Sequence, residues 1–126
     1  MGKKIKFRVP VFVDKKFHHF HYWGFIDDRF VGILRISNTE SVSQQYTNME
    51  DNNGKEIYEG DRVEFEITNE FIIETEETSG KYFGEIMWDA EDTGFFIMND
   101  SGDYPHVKTY YAGKIKVTGN IYEPTT

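Results

Sequence analysis

Residues 62–67 read Arg-Val-Glu-Phe-Glu-Ile, and this short stretch is the clearest indication of the fold class in the sequence. Val63, Phe65 and Ile67 alternate with charged residues, which is the period of a β-strand with one buried and one solvated face. The preceding Glu-Gly-Asp at 59–61 is a turn signal. The pattern therefore predicts a half-buried strand that begins directly after a tight turn.

The composition of the whole chain favours the same fold class. Its 126 residues include 11 Phe, 8 Tyr and 2 Trp, whereas Leu occurs once and Ala twice. Branched and aromatic side chains lose rotamer freedom in a helix but fit a pleated surface. We predict an all-β protein, with room for one short helical turn, in one domain or two small lobes.

Three strands are expected in the N-terminal part. Ile5–Val13 alternates apolar with basic residues, so one face should lie in water. Phe17–Ile26 is aromatic on both faces, and Phe30–Ile36 follows a second turn. Pro10 has no amide donor, so it should lie at an edge or end a ladder. These segments predict a β-meander lobe with its connector over residues 1–44.

The C-terminal part reads as a small barrel. Tyr82–Trp88 and Phe95–Met98 predict a hairpin, Thr109–Tyr111 a helical turn, and Ile115–Ile121 a closing strand. Several short strands at this spacing, separated by turn signals, are typical of sandwiches and barrels. We predict an SH3-like small β-barrel over residues 45–126.

A long motif runs through the start of this barrel. Residues 45–63 read Gln-Tyr-Thr-Asn-Met-Glu-Asp-Asn-Asn-Gly-Lys-Glu-Ile-Tyr-Glu-Gly-Asp-Arg-Val. This motif resembles the signature of the YopX family of phage and prophage proteins. Ile5–Arg8 and Val117–Glu123 resemble the opening and closing strands of that family. The resemblance implies a β-rich fold with a barrel-like C-terminal part and a phage or prophage origin, but it supplies no activity and no catalytic residues.

The chain departs from the family pattern at two places. Asn48-Met49 stands where the family usually has Gly-Leu, and Val9-Pro10 stands where it usually has Ala-Trp. Asn tolerates a left-handed backbone better than most residues, so we expect that turn to be kept.

The chemistry of the signature is mostly that of turns and core positions. Gly54 and Gly60 permit positive φ, and Asp61 can accept hydrogen bonds from amides of its own loop. We interpret the signature as structural and expect its residues to set the fold rather than bind a ligand: Tyr46, Asn53, Gly54, Ile57, Tyr58, Glu59, Gly60, Asp61 and Val63.

The predicted hairpin is apolar on both faces, so both faces need cover. One face belongs to the barrel core, and the other must meet the N-terminal lobe, a second protomer, or both. Phe17–Phe25 is also apolar on both faces, so the two segments could cover each other within one chain. An aromatic content of 17% favours a homo-oligomer. The expected interface residues are Phe83, Met87, Trp88, Phe95 and Phe96.

Three histidines are the best metal candidates. His19 and His21 share a face of the second strand, where two imidazoles could share a metal, and His18 adjoins them. There is no Cys to complete a site. Packing of these rings against their aromatic neighbours is the preferred interpretation, so we predict neither a metal nor a cofactor.

Other residues leave two partner hypotheses open. A row of glutamates could mimic phosphates toward a host protein, although charges on edge strands also resist aggregation. Lysines interleaved with tyrosines resemble a single-strand nucleic-acid site, but a net charge of -8 disfavours it. The glutamates are Glu64, Glu66, Glu74, Glu76 and Glu77; the second set is Lys108, Lys114, Lys116, Tyr104, Tyr110 and Tyr111.

No phosphate loop, nucleophile elbow, signal peptide or membrane-length apolar run occurs in the sequence. We therefore expect a cytoplasmic, non-enzymatic interaction module that self-associates. An acidic modulator of a host protein is the alternative, and a weak nucleic-acid-binding barrel is the third hypothesis.

Overall fold

The computed structural model describes residues 4–32, 43–67, 81–91, 93–100, 106–109 and 112–123. Within these ranges the chain forms strands and no α-helix, so the all-β prediction is confirmed. No helix in the described ranges could cross a membrane. The helical turn expected at Thr109–Tyr111 lies outside them except for Thr109. The strands are β1 (Lys6–Val13), β2 (Lys16–Ile26), β3 (Arg29–Val31), β4 (Gln44–Glu50), β5 (Glu56–Tyr58), β6 (Asp61–Ile67), β7 (Lys81–Asp89), β8 (Gly94–Asn99), β9 (His106–Lys108) and β10 (Ala112–Asn120).

The first sheet is antiparallel with the order β3-β2-β1-β4-β5. Its two N-terminal hairpins turn through Asp14-Lys15, with φ of 52° and 66°, and Asp27-Asp28, with φ of 50° and 63°. Two consecutive positive φ values match the right-handed twist of the flanking strands and keep the hairpins tight. The predicted meander is therefore confirmed over its described residues.

The signature joins this sheet through β4. Phe7 pairs with Gln45 and Arg8 with Gln44. Pro10 lies beyond the end of that pairing, as expected for a residue without an amide donor. Asn48 has a φ of 64° at the irregularity between β4 and β5, so the left-handed turn is kept with Asn in place of Gly.

The second sheet is antiparallel with the order β10-β6-β7-β8-β9. Its edge strands do not pair with each other among the described residues, so the expected SH3-like barrel is not a closed ladder. The loops around β5 bridge the sheet instead. The amide of Asn52 donates to the carbonyl of Ile115 over 2.7 Å, and the amide of Gly60 donates to the carbonyl of Ile86 over 2.8 Å.

The core lies between the second sheet and β5. Side chains from five strands are fully buried there: Ile57, Val63, Phe65, Ile67, Ile86, Ile97 and Val107. The alternation at 62–67 is thus confirmed. The expectation of a wet basic face on the first strand is wrong at its centre, because Arg8 is only 5% exposed. Ile5, which the alternation placed on the buried face, is exposed.

Candidate functional site

Arg8 of β1 contacts the signature through a buried ion pair with Asp61. Its Nη2 lies 2.7 Å from Oδ1 of Asp61, and its Nε donates to Oε1 of Gln44 over 2.8 Å. The guanidinium carbon lies 3.9 Å from the ring centroid of Phe20 and 4.8 Å from that of Tyr58. A buried guanidinium needs this many partners, since a buried charge without them is strongly destabilising.

Asp61 is 2% exposed and is the other half of the pair. Its Oδ2 accepts the amide hydrogen of Tyr58 over 2.8 Å, which confirms that this aspartate bonds an amide of its own loop. Burial raises the pKa of Asp61, and Arg8 together with the Tyr58 amide offsets part of that effect. Both oxygens of this carboxylate are engaged within the fold.

Asp51 organises the other turn of the signature. Its Oδ1 accepts the amides of Asn53 and Lys55, each over 2.9 Å, and its Oδ2 accepts the amide of Val117 over 2.9 Å. Burial would raise the pKa of Asp51, but these three donors and the charge of Lys55 outweigh it and lower the pKa. The turn thereby covers part of the open edge of β10, which would otherwise present unpaired groups.

The remaining signature residues occupy core or turn positions. Gly54 and Gly60 have φ of 81° and 86°, which confirms the positive φ expected there. The Glu59 side chain accepts the amide of Gln45, and Asn53 is exposed. Burial is the main cause that raises the pKa of both Tyr46 and Tyr58, with Glu56 adding to it. Four members are buried apolar or aromatic side chains: Tyr46, Ile57, Tyr58 and Val63.

The hairpin β7–β8 is apolar on both faces, as the sequence indicates. Ile86 pairs with Ile97 on the core face. Met87 pairs with Phe96 on the opposite face, which also carries Phe83. We call this opposite side the outer face and define it by Phe83, Glu85, Met87, Phe96 and Met98.

The structure divides the expected interface residues between the two faces. Phe83 is 50% exposed on the outer face, whereas Phe96 is buried there and stacks on His106 at 5.0 Å. Trp88 and Phe95 lie on the core side at the end of the hairpin, with ring centroids 5.0 Å apart. Trp88 is nevertheless exposed.

A C-terminal aromatic residue meets the N-terminal lobe. The ring of Tyr122 lies 6.0 Å from that of Phe17, 5.7 Å from that of Phe12 and 6.2 Å from that of Phe20. The first part of strand β2 is therefore covered from within the chain, by the turn after β10.

The histidines make local contacts. His19 and His21 share a face, opposite Val11 and Val9 of β1. Nδ1 of His18 lies 2.7 Å from Nδ1 of His19, and Nε2 of His21 lies 3.2 Å from the carbonyl of Gly32. Among the described residues, no group of three or more His, Cys, Asp or Glu could hold a metal ion.

The charged rows are largely paired where they are described. Glu64 lies 3.3 Å from Lys81, and Glu66 lies 3.7 Å from Lys114. Lys108 lies 3.6 Å from Asp89. The other members of the two rows, apart from the exposed Lys116, lie outside the described residues: Glu74, Glu76, Glu77, Tyr104, Tyr110 and Tyr111.

Sequence reasoning missed Arg8, Gln44 and Asp51 as the residues that tie the signature together. Arg8 sits in an alternating strand, where a basic residue ordinarily marks the wet face. Two features of the sequence could have indicated that Arg8 is buried: the aromatic strand that follows it, and an Asp-containing turn elsewhere in the chain. A buried Arg requires both a carboxylate and other close partners such as aromatic rings.

A family model described as YopX protein matches residues 12–125. The matched interval contains the whole signature and nine complete strands, from β2 to β10. It begins after Ile5–Arg8, the segment that resembles the opening strand. No curated protein matches the chain.

Proposed function

This chain belongs to the YopX family, and from that premise we propose that it is a phage- or prophage-derived, cytoplasmic, non-enzymatic interaction module that self-associates. The observation that carries the proposal is the outer face of β7–β8. Phe83, Met87, Phe96 and Met98 lie together on the side of the sheet that faces away from the core.

The outer face has the anatomy of a protein–protein contact. Phe83 leaves half of its surface in water, and removal of such apolar area from water favours association. Charged pairs surround it: Arg62 with Asp100, Lys81 with Glu64, and Lys108 with Asp89. An apolar centre with a polar rim is the usual arrangement at interfaces.

The non-enzymatic part of the proposal is supported by the buried carboxylates. Asp51 accepts three amide hydrogens, and Asp61 is bound by Arg8 and the Tyr58 amide. A general acid or base must be able to reach a substrate proton. Both carboxylates bond to groups of the fold itself and so lack access to a substrate proton.

The two alternative partners have less support. Glu64 and Glu66 lie beside Lys81 and Lys114, so this row presents mixed charge rather than a series of free carboxylates. The same pairing lowers the positive potential that nucleic acid would need.

For the architecture, we propose an open variant of the SH3-like barrel. Its supporting observations are the bonds from Asn52 to β10 and from Gly60 to β7. In this arrangement the loops flanking β5 take the place of a closing strand ladder.

The experiment compares Phe83→Glu with Phe30→Glu by size-exclusion chromatography with light scattering. Phe30 is 67% exposed on β3 of the other sheet, so it provides a matched loss of exposed aromatic surface. We expect Phe83→Glu to give the monomer mass, because a carboxylate cannot be buried in an apolar contact without large cost. Phe30→Glu should keep the assembled mass. If only Phe30→Glu dissociates the protein, the interface lies elsewhere and the proposed role of the hairpin is wrong.

A further inference from the structure

A groove with a volume of about 220 Å³ opens between the signature turn and β7. It lies beside the outer face and shares Glu85 and Met87 with it. Its walls include Glu59 of the signature, Glu85 and Trp88 of β7, and Ile121 and Tyr122 after β10. We call this feature the acidic groove, because its lining residues include two Glu and no Lys, Arg or His.

The groove is held open by the fold itself. The amide of Gly60 donates to Ile86 over 2.8 Å, and the amide of Ile121 donates to Gly60 over 3.0 Å. These two bonds connect Gly60 to β7 on one side of the groove and to the segment after β10 on the other. Trp88 packs edge-on against Phe95, and Tyr122 stacks on Phe17. A site that exists before its ligand arrives avoids the cost of ordering its walls.

Two glutamates line the groove and favour a cationic ligand. One oxygen of Glu59 accepts the amide of Gln45 over 3.1 Å, which orients that side chain. Burial raises the pKa of Glu85; the charge of Arg62 opposes this shift and that of Asp100 adds to it. A partly dehydrated carboxylate gains more from a nearby cation than one in bulk water does.

The aromatic wall matches the same ligand. Trp88 is 41% exposed and Ile121 is 45% exposed, so the lining of the groove includes an indole ring and aliphatic surface. Tryptophan is the best aromatic partner for a cation, and guanidinium groups stack on such rings while also pairing with carboxylates.

We propose that the acidic groove binds an arginine side chain presented by an extended, otherwise apolar segment of a partner protein. Charge complementarity selects this occupant, because the groove carries two carboxylates in a chain whose net charge is -8. Apolar residues on either side of the arginine contact Met87, Ile121 and Tyr122. This recognition shares Glu85 and Met87 with the outer face but does not involve Phe83.

Tryptophan fluorescence can report the binding directly, because the chain has only two Trp. Trp23→Phe leaves Trp88 as the single reporter. The probes are acetyl-Leu-Arg-Leu-amide and its citrulline counterpart, which has the same shape without the charge. We expect saturable binding of the Arg peptide, weakened by salt, and binding of the citrulline peptide weaker by ~10-fold or more.

Charge-matched variants locate the site. Glu59→Gln and Glu85→Gln should each weaken the Arg peptide by ~5-fold or more, whereas Glu91→Gln should change it by less than ~2-fold. Glu91 lies in the β7–β8 turn, outside the groove. Equal binding of both peptides, no saturation, or an equal effect of Glu91→Gln would overturn the proposal.

The same titration in Phe83→Glu separates the two proposals. Unchanged affinity there supports a groove that works without self-association. If affinity instead disappears with assembly, the groove belongs to a contact between copies and the proposal of a partner segment is wrong. Absence of peptide binding in a protein that still assembles would overturn the groove alone.

Discussion

Arg8 and Asp61, 53 residues apart in the chain, form an ion pair 2.7 Å long in which both residues are almost wholly buried. The pair joins the opening strand to the signature turn. It also explains why Asp61 follows a tight turn, since the turn places the carboxylate between its own loop amide and the guanidinium.

Loss of one partner of the Arg8–Asp61 pair should strongly lower the stability of the fold. Asp61→Asn keeps an acceptor for the Tyr58 amide but leaves Arg8 as an uncompensated buried charge. We expect the free energy of unfolding to fall by about 3–5 kcal/mol, measured by urea denaturation. The control Asp100→Asn breaks the more exposed pair with Arg62 and should cost less than about 1 kcal/mol.

The double variant Arg8→Met with Asp61→Asn tests the same pair by removing both of its charges. It removes the orphaned charge, so it should be more stable than Asp61→Asn alone. A double variant whose loss equals the sum of the two single losses would reject the coupling.

Gly60 and Gly54 offer a comparison of strain with and without crowding. Both have positive φ, but an added Cβ at Gly60 would lie 2.7 Å from Cδ of Gln44, whereas at Gly54 it would meet nothing within 4 Å. Gln44 cannot move freely, because it holds Arg8. Gly54→Ala should cost about 1 kcal/mol from backbone strain and Gly60→Ala clearly more. Equal melting temperatures of the two variants would contradict the packing around Gln44.

Asp51 predicts an acid-sensitive contribution to stability. Its folded pKa lies below the ordinary value of 3.8, so the contribution is present at neutral pH and is lost as pH falls through the folded pKa. Asp61 has the opposite sign, because its pKa is raised. We expect Asp51→Asn to be less stable at neutral pH and to lose less on acidification below about pH 4, measured as the unfolding free energy against pH. An identical acid slope in both proteins would contradict this.

Strand β6 and the turns at Asn48 and Gly60 could be predicted because local chemistry dictates them. Val63, Phe65 and Ile67 alternate cleanly, and Asn48 and Gly60 sit where only a tolerant residue can turn the chain. Long-range partners could not be predicted, since neither Arg8 nor Asp61 carries a local sign of the other. That the second sheet does not close could not be predicted for the same reason, because the bond from Asn52 to Ile115 has no periodicity in the sequence to reveal it.

The boundary between residues 1–44 and 45–126 stays a prediction. The ion pair of Arg8 with Asp61 crosses it, as do the ring contacts of Tyr122 with Phe17. The two parts are therefore packed together whether or not either folds alone.

The histidines are expected to be structural. Because we expect no metal to bind, addition of Zn²⁺ or Ni²⁺ should leave the melting temperature unchanged. A metal that bound only the native state, at 100 times its Kd, would add about 2.7 kcal/mol of stability and raise it. Thermal unfolding with and without metal checks this. A metal-dependent rise that disappears in the double variant His19→Ala, His21→Ala would mean that the two imidazoles do bind metal.

The mass of the wild-type protein in solution decides whether the chain self-associates. Size-exclusion chromatography with light scattering at micromolar concentration should give at least twice the chain mass of 14.8 kDa, because Phe83 leaves half of its surface in water on the outer face. A clean mass of 14.8 kDa would contradict the account.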